Sequence, residues 1–125
     1  MSFLAEQCFA VCGERGGMLK LQAEQKIFAY REPVDMRKSF DGLISVTRHL
    51  VKENPLSGSV FVFRNRRGNY LKLLIWDRTG YVLYAKRLER GKFKMFFSQE
   101  KQILNQEQLS FLLDGIPLGV KRDMQ

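Results

Sequence analysis

Three strand-like runs joined by two short polar linkers constrain this chain more than any other feature. Val60 to Arg64, Asn69 to Trp76 and Tyr81 to Leu88 are rich in β-branched, aromatic and leucine residues. Between them lie Asn65-Arg66-Arg67-Gly68 and Asp77-Arg78-Thr79-Gly80, both polar and both closed by glycine. Linkers of this length and chemistry turn a chain back on itself as hairpin loops. The three runs are therefore expected to form an antiparallel meander. A period of two along the middle strand places Leu71, Leu73 and Ile75 on one face, and Tyr70, Lys72, Leu74 and Trp76 on the other.

Upstream, Ile27-Phe28-Ala29-Tyr30 is a further short β-type run, stopped by Pro33. Asp35 is placed to cap a helix. Met36, Phe40, Leu43, Ile44, Thr47, Leu50 and Val51 then recur at spacings of three and four, the apolar stripe of a helix ending near Glu53 before Asn54-Pro55. Arg37, Lys38, Asp41, Arg48 and Lys52 fall on the opposite side. Gly42 sits inside this helix at a propensity cost of about 1 kcal/mol, which a close approach of sheet or partner backbone would explain. Downstream, Phe93, Met95, Phe96 and Phe97 suit either an edge strand or a packed loop. Asn105 with Gln108 forms a capping-box pattern for a second helix that buries Leu109, Leu112, Leu113 and Ile116 and stops at Gly115.

The expected fold is α+β, a small antiparallel sheet packed with two helices. It consists of the meander plus one N-terminal strand, in the order β-α-β-β-β-α. A chain of 125 residues supports one such domain. We place it at residues 25–120, after a loosely ordered N-terminal extension over 1–24 and before a polar tail over 121–125.

Charge is concentrated on the meander. From Val60 to Met95 the chain holds ten bases and two acids, and elsewhere eleven of each, so this stretch carries the whole net charge of +8. Arg64, Arg66 and Arg67 crowd one hairpin, and Lys86, Arg87, Arg90, Lys92 and Lys94 follow the third strand. Arginine forks match phosphate oxygens bidentately and lysine adds point charge, so the pattern points to a polyanion, with nucleic acid first. The alternative is that charged tips keep sheet edges soluble. Phe61, Phe63, Tyr70, Trp76, Tyr81 and Tyr84 could stack on unpaired bases, but with two helices to cover the sheet they are first read as core.

Catalytic patterns are missing. The only histidine, His49, lies mid-helix with no nucleophile elbow near it. Asp35 and Asp77 are better used in a cap and a turn; Asp41 and Glu53, twelve residues apart along the helix, could share a face, but the acids are too few and scattered to favour two-metal chemistry. Cys8 and Cys12 lack a second ligand pair and read as free thiols. Gly13-x-x-Gly16-Gly17 follows no strand and offers no phosphate cradle. No catalytic residue, metal or cofactor is expected. Neither a membrane span nor a secretory signal is evident, and the expected location is cytoplasmic.

Four motifs recur together in one known family. They are Asp35-Met36-Arg37-Lys38-Ser39-Phe40-Asp41-Gly42-Leu43, then Phe61-Val62-Phe63-Arg64-Asn65-Arg66-Arg67-Gly68 with Trp76-Asp77, then Tyr84-Ala85-Lys86-Arg87-Leu88-Glu89-Arg90-Gly91, and finally Leu113-Asp114-Gly115-Ile116. In this order and spacing the chain resembles the TnpB (Orf2-like) accessory proteins of bacterial insertion-sequence family 66, over Ile27 to Leu118. The resemblance implies a helper for transposition, working beside a DDE transposase encoded in a separate frame. It carries over no functional residues.

Two functions remain open from the sequence. The first is a non-catalytic factor that binds DNA, with the element ends as target, through Arg64, Arg66, Arg67, Lys72, Arg87, Arg90 and Lys92. The second is an adaptor that engages the transposase without direct DNA contact, through Arg37, Lys38, Asp41 and Arg48.

Overall fold

The computed structural model describes residues 24–95 and 97–114. The N-terminal extension with Cys8 and Cys12, the glycine stop at Gly115, Ile116 and the polar tail lie outside the described residues. The elements run β1 (Ile27–Tyr30), α1 (Phe40–Val46, continuing as a π-helical turn over Thr47–Val51), β2 (Val60–Arg64), β3 (Tyr70–Trp76), β4 (Tyr81–Arg87), β5 (Lys101–Leu104) and α2 (Gln106–Leu113). The fold is α+β, with a five-stranded sheet in the order β4-β3-β2-β1-β5.

The meander forms as its turn chemistry dictates. β2 pairs antiparallel with β3, and β3 with β4, with Val62 opposite Leu73 and Leu73 opposite Tyr84. In the first hairpin loop the Asn65 side chain accepts from the backbone N–H of Gly68 at 2.9 Å and of Tyr70 at 3.1 Å. Gly68 has φ +81°, a conformation that costs glycine little and other residues more.

Two features of the sheet differ from an all-antiparallel four-stranded expectation. β1 pairs parallel with β2, Ile27 opposite Val60, because α1 occupies the crossover between them. A fifth strand, Lys-Gln-Ile-Leu, pairs antiparallel with β1 on its other side. This short run lacks alternating polarity, so only its partner defines it. The segment between β4 and β5 is a loop packed on the core: Phe93 is buried, and Met95 and Phe97 lie against the same cluster.

Each helix covers one face of the sheet. Leu109 and Leu112 of α2 pack on Ile27, Ala29, Val62 and Leu73. On the other face, Leu43, Val46 and Val51 pack on Phe28, Phe61, Phe63 and Leu74. Phe28 and Phe61 stack there with ring centroids 5.7 Å apart. Sheet burial on both faces accounts for the continuous apolar run of β2, where alternation is lost.

The helices start differently. α2 has the expected capping box: Gln108 N–H donates to Asn105 Oδ1 at 2.7 Å, and Asn105 N–H to Gln108 Oε1 at 2.9 Å. α1 does not begin at Asp35. Asp35 caps a tight turn, its Oδ1 accepting from Arg37 N–H at 2.9 Å, and the first helical N–H to carbonyl bond runs from Leu43 to Ser39. The reason lies in β3. The Lys72 ammonium takes the carbonyls of Met36 and Lys38, each at 2.9 Å, and so withdraws them from helical hydrogen bonding.

The apolar stripe of α1 is also cut. The Thr47 hydroxyl donates to the Leu43 carbonyl at 2.8 Å, where the helix widens into its π turn. The wider turn shifts the facing, so Val51 is buried while Leu50 is 52% exposed; Phe40, at the other end, is 42% exposed. Gly42 is needed for close approach, but of a side chain: a Cβ there would lie 2.9 Å from Lys38 Cβ. The helix ends on Lys52 in the left-handed region, with Glu53 N–H returning to the Thr47 carbonyl.

Candidate nucleic-acid interface

The hairpin loop between β2 and β3 is flanked by two other segments. The chain leaving β4 runs alongside it: Leu88 N–H donates to the Asn69 carbonyl at 2.8 Å and Phe93 N–H to the Gly68 carbonyl at 2.7 Å. On its other side lies the 33–37 turn, anchored where Val34 N–H donates to the Arg64 carbonyl at 2.9 Å. Pairing at this end of the sheet also sets Arg87 directly opposite Tyr70.

Of the residues singled out for DNA, five gather here. Arg66 and Arg67 are exposed on the loop, and Arg87, Arg90 and Lys92 are exposed on the neighbouring strand and its exit. The Lys92 stem lies close to Gly68, as a Cβ on Gly68 would be 3.7 Å from Lys92 Cβ. None of the ion pairs among the described residues uses these five cations.

Two residues of that set have other work. Lys72 is 8% exposed, and its ammonium is held by the Met36 and Lys38 carbonyls. It belongs to the buried face of β3, and two of its ammonium donors are committed to the turn. Arg64 faces the α2 side: its guanidinium donates to the Arg31 carbonyl at 2.6 Å and lies 5.9 Å from the Phe97 ring centroid. Burial lowers its pKa from the usual arginine value. Lys86 is likewise structural, donating to the Leu113 carbonyl at 2.7 Å in the last turn of α2.

Of the residues assigned to a protein partner, Arg37 stands in the turn before α1, and the others lie on or beside the helix. Asp41 and Arg48 are exposed on α1, and Lys38 lies across Gly42. Arg37 sits in the turn before the helix and pairs with Asp35 rather than with Asp41. Its Nε donates to both Asp35 oxygens at 3.1 Å and its Nη2 to Oδ2 at 2.7 Å. Those hydrogen bonds hold the Asp35 carboxyl down at about 2.

The turn and the hairpin enclose a groove of ≈540 Å³ lined by Val34, Met36, Arg37, Arg66, Arg67 and Tyr70, among others. The sequence alone assigns Arg37 to one surface, Arg66 and Arg67 to another, and Met36 and Tyr70 to the core. The available signal was Pro33 followed by the Asp35-x-Arg37 turn, which stops β1 and folds the chain back beside the hairpin. The arrangement offers three arginines, one of them fixed by Asp35, at a concave and partly apolar surface, suited to binding an anionic ligand with a flat apolar part. Among the described residues, no three His, Cys, Asp or Glu side chains gather as a metal site requires.

A family model described as IS66 Orf2 like protein matches residues 25–123. The chain belongs to the IS66 Orf2-like family. It is thereby an accessory protein of IS66 transposition. Two relatives come from Sinorhizobium fredii. "Uncharacterized protein y4hO" is 42% identical over 83 residues, covering 66% of this chain and 72% of the relative. "Uncharacterized protein y4jC" is 37% identical over 68 residues, covering 54% of this chain and 58% of the relative, so the match spans under two thirds of that protein. No solved structure matches the chain. No described helix is long and apolar enough to cross a membrane.

Proposed function

We propose that this IS66 Orf2-like protein is a non-catalytic, cytoplasmic factor that binds DNA at the element ends during transposition. The observation that carries this reading is the convergence of Arg66, Arg67, Arg87, Arg90 and Lys92 at one end of the sheet, exposed and outside the ion pairs of the described residues. Exposed cations outside the ion pairs of the described residues suit the release of counterions from a nucleic-acid backbone, which favours association and makes it salt-dependent. The hairpin tip can approach a groove while the exit from β4 follows the backbone.

The deciding experiment is binding of the purified chain to element-end duplex over a salt series, with scrambled duplex and single strand as controls. Changing Arg66 and Arg67 to Glu should abolish binding. Preference for element ends over scrambled duplex would mark a site-recognition factor. No binding of the unaltered chain at low salt would sink the reading.

A second reading has its own support. Phe40 and Leu50 are large apolar residues exposed on α1, beside Asp41 and Arg48. Such residues suit a protein partner, here the DDE transposase of the same element. Co-purification with transposase that survives nuclease treatment, and is lost on Phe40→Ser with Leu50→Ser, supports this adaptor role. Absence of any complex removes it.

A further inference from the structure

The groove beside the hairpin has a composition that phosphate binding alone does not explain. Backbone phosphates are met well by exposed cations on a convex tip, and apolar walls add nothing to that contact. Here Arg37, Arg66 and Arg67 share the lining with Val34, Met36 and Tyr70. The size, ≈540 Å³, lies within the range of roughly 300–1,000 Å³ of sites that enclose small organic groups.

Arg37 is presented in a particular way. Asp35 takes its Nε and Nη2 donors, so that edge of the fork is satisfied within the protein. Yet the side chain is 90% exposed. A guanidinium fixed by one edge and open to solvent offers its flat faces, which stack on aromatic rings. Tyr70, half-buried and set opposite Arg87 in the β3–β4 ladder, supplies a second planar group.

We propose that the groove receives an unpaired DNA base, stacked against Tyr70 and the guanidinium plane of Arg37, with the adjoining phosphates on Arg66 and Arg67. The ligand class is thus single-stranded or locally opened DNA. This inference rests on the DNA-binding reading above and adds strand preference to it. Stacking tolerates any base, because each has a π face, whereas a paired base in a duplex is already stacked and cannot enter.

The test uses the full chain and two fluorescent oligonucleotides, a thymidine-only single strand and a mixed-sequence duplex of equal length, at one salt concentration. The unaltered protein should favour the single strand. Tyr70→Ala, and separately Arg37→Lys, should each weaken single-strand binding about tenfold and change duplex binding by no more than about twofold. Tyr70→Phe should keep the single-strand affinity, since the ring remains. Arg37→Lys keeps the charge but gives up the fork on Asp35, so its effect reads the loss of the plane when its urea midpoint matches that of the unaltered chain.

Equal binding of the two oligonucleotides, or variants that weaken both alike or neither, would overturn the stacking site. If Arg66→Glu with Arg67→Glu still abolished binding in that case, the DNA reading itself would stand. Failure of the unaltered chain to bind either oligonucleotide would remove both together.

Discussion

Lys72 holds the backbone of Met36. The ammonium on β3 donates at 2.9 Å to a carbonyl 36 residues earlier in the chain, and at the same distance to the carbonyl of Lys38. Those two bonds end the tight turn, delay the start of α1 and fix Arg37 between them at the edge of the groove. A buried cation here acts on the interface through the segment it supports and through the Tyr70 ring, whose centroid lies 5.8 Å from its ammonium.

Replacing Lys72 with Met should therefore lower unfolding stability by about 2 kcal/mol, from loss of charge-assisted bonds and of acceptors left without a donor. Urea denaturation measures it. The salt dependence of DNA binding should be unchanged, because no phosphate contact is removed. A lysine that touched phosphate would show the reverse, a log–log salt slope smaller by about one and little change in stability.

For Arg66 and Arg67 the expected pattern is that reverse. Changing both to Ala should reduce the salt slope by about two while shifting stability by no more than about 0.5 kcal/mol. Arg64→Ala, which loses its bond to the Arg31 carbonyl and its contact with Phe97, should instead cost about 1–2 kcal/mol of stability. Anisotropy titrations paired with denaturation curves separate the two classes.

Gly42→Ala tests close approach. Helix propensity alone would favour alanine by about 1 kcal/mol. The new Cβ would lie 2.9 Å from Lys38 Cβ, an atom that can move only with the backbone that Lys72 holds. The substitution should be net destabilising by about 1–2 kcal/mol in chemical denaturation.

The Asp35 carboxyl, held down at about 2 by hydrogen bonds from Arg37, sets a pH dependence for the turn. A carboxyl whose folded value lies below its unfolded one contributes above the unfolded range near pH 4 and loses that contribution as pH falls through the folded value. The Asp35–Arg37 pair should accordingly stay intact down to about pH 2, followed by the Asp35 carboxyl carbon shift in NMR. In Arg37→Ala the midpoint should rise toward the ordinary carboxylate range. Titration near pH 4 in the unaltered chain would contradict the pairing.

Local chemistry was legible without coordinates. Asn65 and Gly68 announced a hairpin, the alternation of Leu71, Leu73 and Ile75 assigned a face, and Asn105 with Gln108 announced the start of α2. Each depends on residues within a few positions of one another, where turn geometry, side-chain period and capping leave few alternatives. The excess of positive charge on the meander was equally plain, being a property of composition. Five of the seven residues read as DNA contacts do gather at one end of the sheet.

What composition and spacing could not decide was everything set by distant partners. The sequence alone determined the meander, the second helix and the location of the charge. Only the tertiary structure decided that β1 lies parallel to β2, that Lys101–Leu104 is a strand at all, and that helices cover both faces of the sheet. The same holds for the cations. Lys72 and Arg66 are both basic residues of one hairpin, but one meets carbonyls arriving from the 33–38 segment and the other meets water. A strand pairing or a buried ammonium requires hydrogen-bonding groups that chain folding brings from far away, and no local pattern records which groups will arrive.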